Sequence, residues 1–179
     1  MDSMKKQKSF TLVEILVAVM VFSIIGTISA GVFVSELRNQ RKSLASQELF
    51  DQTSYLMEYM SRAIRMAKKD DLEGINCLSG DKVNYEIITG QGIKFRNYKD
   101  ECQRFYLENF QLKEEKGGGV SDLTSVPLRV LNFNTNLIGE TQTDNLQPRV
   151  TFFLEIESKE ATKIKIQTTI SQRNPDIER

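Results

Sequence analysis

Hydrophobic and polar positions divide this chain into three regimes. Between Phe10 and Ser35 the only ionisable side chain is the carboxylate of Glu14, and Ile15 to Val34 is a run of 20 uncharged residues. As a helix rising about 1.5 Å per residue, that run reaches about 30 Å, the thickness of a bilayer's hydrocarbon core. From Glu36 to Lys69 there is neither proline nor glycine. Here Leu49, Thr53, Leu56, Met60, Ala63, Ile64 and Ala67 recur at helical spacing, while Glu48, Gln52, Glu58, Arg62 and Arg65 fall mostly elsewhere. The pattern predicts that the first helix continues to Lys69, about 90 Å in all, with one face available to a folded head. The tyrosines and methionines of this stretch (Tyr55, Met57, Tyr59, Met60, Met66) read as core packing.

After Asp70-Asp71 the period changes to two. Val83, Tyr85 and Ile87 alternate with polar residues, a turn follows at Thr89-Gly90-Gln91-Gly92, and Ile93-Lys94-Phe95-Arg96 resumes the alternation, which predicts a hairpin. Gly117-Gly118-Gly119 marks a flexible turn. It is not a phosphate loop, because no Gly-Lys-Ser/Thr follows it. Val150, Phe152, Leu154 and Ile156 share one face of a strand, and Ile164, Ile166, Thr168 and Ile170 one face of the next. That predicts an antiparallel C-terminal hairpin with one buried face. The polar stretch from Asn132 to Pro148 reads as a surface loop. Glu140 and Asp144 in it can offer oxygens to calcium, but their spacing matches no defined calcium loop, and a solvated turn is the expectation.

Composition narrows the chemistry. The 179 residues carry 24 Lys plus Arg against 24 Asp plus Glu, so no overall positive charge is available to hold a polyphosphate, and nucleic acid is not a favoured partner. Histidine is absent, which removes the commonest general base and metal ligand. No nucleophile, base and orienting group can be assembled in the usual form, so the expectation is a protein without catalytic residues and without a cofactor. Cys77 and Cys102 fit no CxxC pattern. Outside the cytoplasm they can close one disulfide loop; otherwise they are two free thiols packed as small apolar groups.

Glu14 is then the residue to explain. Lys5, Lys6 and Lys8 precede the apolar run, and Arg38, Arg41 and Lys42 follow it. A short basic N-terminus before such a run favours N-inside, C-outside insertion. A cleaved secretory signal, with Ser29-Ala30-Gly31 as its small-residue site, or a plain signal anchor would each merely tolerate the acid. A carboxylate in an apolar membrane helix costs several kcal/mol unless it is paired or lies near the interface. A third reading gives it a use. If the chain is cut between Ser9 and Phe10, the new ammonium of Phe10 in one copy can pair with the Glu14 carboxylate of a neighbour, and the acid sets the register between helices.

Lys8-Ser9-Phe10-Thr11-Leu12-Val13-Glu14-Ile15-Leu16-Val17-Ala18 resembles the leader junction of type IV pilins and type II secretion pseudopilins. The resemblance implies an α+β, pilin-like fold: a long N-terminal helix, membrane-spanning in its first half, packed on an antiparallel β-sheet head. It divides the chain into a leader at 1–9 removed by a prepilin peptidase, a transmembrane and assembly helix at 10–35, its amphipathic continuation at 36–70, and a β head at 71–179. It further implies N-methylation of Phe10, an assembly role for Glu14, and partnership with other pilin or pseudopilin subunits, an inner-membrane assembly platform and membrane lipid. Two positions depart from the family. Ser9 stands where the family usually has glycine, and Gly26 and Gly31 occupy the region where many pilins carry a proline. Those glycines mark either a place for local helix melting or a small-residue contact with a neighbouring helix. The ending Thr168 to Pro175 is similar to that of larger minor pilins and J-type pseudopilins. Removal of Lys5, Lys6 and Lys8 together with Asp2 leaves 21 basic against 23 acidic side chains.

Overall fold

The computed structural model describes residues 10–70, 77–80, 83–88, 92–139 and 146–173. The chain separates into two compact units, the first ending at Ser43 and the second beginning at Leu44. One helix, α1 (Leu12–Arg65), contributes to both. Eight strands follow it, and the α+β arrangement expected from the sequence is the one found.

In the first unit every described residue of α1 is solvent-exposed, including Leu12, Phe22, Ile28 and Phe33. The helix buries none of its apolar surface against its own chain. It is long and apolar enough to cross a membrane. Its polar side chains suit such surroundings, because Ser23 Oγ donates to the Val19 carbonyl and Thr27 Oγ1 to the Ser23 carbonyl, both at 2.8 Å. Hydroxyls bonded back to the preceding turn leave no donor stranded in hydrocarbon.

In the second unit α1 buries Leu49, Thr53, Leu56, Met60 and Ile64, the stripe legible in the sequence. The strands form two antiparallel meanders. The first sheet is β1 (Tyr85–Ile88), β2 (Gly92–Arg96), β3 (Cys102–Glu108), β4 (Gln111–Lys116) and β5 (Gly119–Asp122), in that order. The second is β6 (Arg129–Ile138), β7 (Arg149–Glu157) and β8 (Lys163–Ser171). Strand β6 contacts β1, β2, β3 and β4 and so runs across the first sheet. One core joins all three layers: Leu56, Met60 and Ile64 from the helix meet Ile93, Phe95 and Phe105 from one sheet and Phe133, Phe152 and Leu154 from the other. Complete burial of such side chains contributes about 1.5 to 3 kcal/mol each.

The expected hairpins are present. Tyr85 pairs with Phe95 across β1 and β2, and Ile156 with Ile164 across β7 and β8. Val150, Phe152, Leu154 and Ile156 are fully buried. The first three residues of the predicted turn, 89–91, lie outside the described residues, but Gly92 is explained. A Cβ there would lie 2.8 Å from the Phe105 carbonyl oxygen, so only glycine permits the approach of β2 to β3. Gly117 and Gly118 both take positive φ, 55° and 83°, and form a tight two-residue turn between Lys116 and Gly119.

Three features differ from the sequence reading: Tyr55 and Met66, expected in the core, are exposed, and two elements have other bounds. Asn132 to Ile138 is not a surface loop but part of β6, whose ladder pairs Phe133 with Leu154 and Leu137 with Val150. Its outward positions Asn134 and Asn136 are polar while Phe133 points into the core, so the alternation was masked by asparagine. The helix also ends at Arg65 rather than Lys69. No glycine or proline stops it; distant donors do. The Tyr85 hydroxyl donates to the Ile64 carbonyl at 2.7 Å, the Arg173 N–H to the Arg65 carbonyl at 2.9 Å, and Gln172 Nε2 to the Ala67 carbonyl at 2.9 Å. The Lys68 N–H then donates to the Arg96 carbonyl, and the chain leaves as an extended segment.

That corner is tied covalently and electrostatically. Cys77 and Cys102 are joined in a disulfide with Cα atoms 5.4 Å apart. Next to it, in register with Cys102, the buried Arg96 guanidinium lies 3.7 Å from Asp70 Oδ1 and 3.3 Å from Asp100 Oδ1. Asp70 Oδ2 accepts the Leu78 N–H at 2.7 Å, and Lys68 Nζ reaches Asp100 at 2.9 Å. The ammonium of Lys68, bonded to Asp100, holds that carboxyl below its ordinary value.

Two outcomes are expected. Burial pushes the Tyr85 phenol above its ordinary value, so its contribution to stability is present below about pH 10 and is lost as pH rises through the folded-state value. Tyr85→Phe should cost about 1 kcal/mol at pH 7, and the deficit should shrink above pH 10, as read from denaturant midpoints of the two proteins across that range. The double variant Cys77→Ser/Cys102→Ser should lose roughly 3 to 4 kcal/mol under oxidising conditions, because the bridge closes a loop of about 26 residues. Alkylation of both thiols in the unreduced parent protein would contradict this.

Candidate functional site at the N-terminal junction

The junction singled out by the sequence is built on the first turn of α1. Phe10 precedes the helix and is 75% exposed, and Thr11 is its N-cap. The Glu14 N–H donates to Thr11 Oγ1 at 3.3 Å and to the Thr11 carbonyl at 3.1 Å, and the Ile15 N–H donates to the same carbonyl at 3.3 Å. A threonine cap therefore satisfies donors that the first turn would otherwise leave open, which matters most where water is scarce.

Thr11 and Glu14 stand in the Thr-x-x-Glu spacing of a capping box. The signal is present in the sequence itself. It adds a local reason for Glu14: a carboxylate in the first turn faces the positive end of the helix dipole. The same placement keeps the acid within one turn of the Phe10 backbone nitrogen. Ser9 and the bond that precedes Phe10 lie outside the described residues, as do Lys5, Lys6 and Lys8.

The remaining sequence candidates are not gathered at this junction. Gly26 and Gly31 lie within unbroken helix, and a Cβ built on either meets nothing within 4 Å. Among the described residues nothing requires glycine there. Cys77 and Cys102 are in the head. Glu140 and Asp144 lie outside the described residues, and among the described residues no group of three His, Cys, Asp or Glu side chains is arranged to hold a metal ion.

What the junction offers chemically is limited. It presents an exposed aromatic residue, a capped helix start and one carboxylate, followed by an apolar surface that the chain does not cover. Uncovered apolar surface of this extent requires lipid or another protein beside it.

Comparison with known proteins agrees with this geometry. No curated protein and no solved structure matches the chain. Residues 4–30 match the family model described as the prokaryotic N-terminal methylation motif, a span that contains Ser9, Phe10, Thr11 and Glu14 and ends inside the apolar run. The motif, with the hydrophobic helix that follows it, supports a type IV pilin-like protein anchored in a membrane.

Proposed function

We propose that this chain is a structural subunit, a minor pilin or pseudopilin, of a type IV pilus or a type II secretion-like filament. In this reading a prepilin peptidase cuts between Ser9 and Phe10 and methylates the new amine. The subunit then waits in the cytoplasmic membrane, its N-terminus cytoplasmic and its head outside, until an assembly platform adds it to the filament. The Glu14 carboxylate pairs with the Phe10 ammonium of a neighbouring subunit and sets the register between helices. Gly26 and Gly31 provide the places where the helix can loosen or a neighbour can approach. The chain is the substrate of the processing enzyme and performs no catalysis of its own.

The observation that carries this proposal is the coincidence of the matched motif with the helix start: the motif spans 4–30, and the cap at Thr11 leaves Phe10 as the residue just before the helix. A disulfide in the head is in keeping with an extracytoplasmic location. A cleaved secretory signal or a simple anchor would give Glu14 no role beyond the start of its own helix.

Intact mass and N-terminal sequencing of the mature protein test the processing step. The expected result is a chain that begins at methylated Phe10. An intact Met1 would indicate a signal-anchored extracytoplasmic protein, and a start near Val32 ordinary secretion. Copy number in purified filaments separates a minor from a major subunit. For assembly, Glu14→Leu should be cleaved and inserted as the parent protein is, yet be depleted at least tenfold from sheared filaments. Normal incorporation of that variant would remove the pairing from the mechanism.

A further inference from the structure

Two contiguous recesses lie beside α1 in the second unit. The larger, about 300 Å³, has Tyr59, Ala63 and Met66 on the helix side and the rings of Tyr55 and Tyr98 at its margin. The smaller, about 160 Å³, shares Glu58, Arg62 and Met66 with it and is lined further by Arg65 and Arg173. Arg173 is held there by its own backbone, because its N–H donates to the Arg65 carbonyl at 2.9 Å.

The charge of the lining is one-sided. Arg62, Arg65, Arg173 and Lys116 stand against one carboxylate, Glu58, and Arg62 already engages it at 2.9 Å. Glu114 accepts the Tyr59 hydroxyl at 2.8 Å but is buried and lines neither recess. Among the described residues Arg65, Arg173 and Lys116 have no carboxylate partner. Tyr55 and Tyr98 remain 63% and 49% exposed. An apolar hollow with cations at its rim suits a short segment that carries one apolar side chain between two acids.

The chain itself continues with such a segment. Past Arg173, on the wall of the smaller recess, the sequence reads Asn174-Pro175-Asp176-Ile177-Glu178-Arg179, six residues that lie outside the described ones. We propose that this segment docks in the two recesses as an intramolecular strap, with Ile177 seated among Tyr59, Ala63 and Met66 and with Asp176 and Glu178 held by Arg65, Arg173 and Lys116. The reach is sufficient: four extended residues from Arg173 to Ile177 span up to about 14 Å, whereas Tyr59 lies about 9 Å from Arg65 along the helix. Proline disfavours a helical Asn174, and in an extended segment Ile177 faces opposite to Asp176 and Glu178, so the apolar side chain can enter the hollow while both acids stay at its rim. Tethering raises the local concentration of the strap to about the millimolar range, so weak contacts suffice, and a docked strap closes the recess to any other ligand until it is displaced. The strap is independent of how the N-terminus is processed or assembled.

The chain contains no tryptophan, so Ile177→Trp in the full chain, in detergent micelles, supplies a single reporter indole. Its acrylamide quenching at low salt should be roughly threefold weaker than in the same protein carrying Asp176→Lys/Glu178→Lys, and the protection should fall as KCl is raised from about 50 to about 500 mM. Arg65→Glu/Arg173→Glu should expose the indole, and combining it with Asp176→Lys/Glu178→Lys should restore most of the protection, a recovery that mere damage to the helix end would not give. In a second measurement without the reporter, a labelled Asn-Pro-Asp-Ile-Glu-Arg peptide should bind the Asp176→Lys/Glu178→Lys chain about tenfold more tightly than the parent, whose own strap competes. Equal quenching with and without Asp176→Lys/Glu178→Lys, or no recovery on exchange of the charges, would overturn the proposal. Protection that grows with protein concentration would place the segment on a second copy and overturn the intramolecular strap.

Discussion

The head depends on how the C-terminal end of α1 is closed. A helix leaves its last carbonyls without intrahelical donors, and glycine in a left-handed cap is the usual local remedy. Here the remedy comes from elsewhere in the chain: a tyrosine hydroxyl from β1, and a backbone N–H and a glutamine amide from the segment after β8. The helix can end properly only once both sheets are in place. Tyr85, at the first strand, and Gln172, past the last, therefore lock the first and last elements of the head to the same helical turn. The neighbouring Arg96, Asp70 and Asp100 add charge to this closure, and the Cys77 to Cys102 bridge adds a covalent tie.

This explains what the sequence could and could not disclose. The buried stripe of α1 and the β7 to β8 hairpin were legible because their apolar positions follow a single period and each buries one face. The helix end at Arg65 was not, because its stop signal is tertiary, from donors as far as 105 residues along the chain. Strands β3 and β4 were hidden by polar residues that point inward. Gln103 and Glu114 are both buried, and Glu114 accepts hydrogen bonds from Gln103 and Tyr59, so a position that reads as exposed is in fact satisfied within the protein. Strand β6 was obscured in the opposite way, by asparagines facing solvent.

At the N-terminal junction the sequence supplies candidates by residue type, and the structure adds the local hydrogen bonding around them. The lone acid, Phe10 and the length of the apolar run are visible in the sequence, and so is the Thr-x-x-Glu spacing, whose capping role the hydrogen bonds to the Thr11 side chain and carbonyl make explicit. The recess formed by Arg62, Arg65 and Arg173 could not have been read at all. Two of its arginines are on the helix, but the third arrives there only through the return of the chain after β8.

The lengths of the strands carry a further consequence. The first sheet ends on both sides in strands of only four residues, β1 and β5. The second has longer edges, but β8 carries Lys163 and Lys165, each opposite an acidic residue of β7, on its exposed positions. Short or charged edges are poor templates for another strand. A protein crowded on a membrane surface with exposed backbone along its sheets would otherwise be prone to fuse into cross-strand aggregates. At β1, β5 and β8, though not along the ten-residue edge β6, side chains rather than free backbone govern what this head associates with.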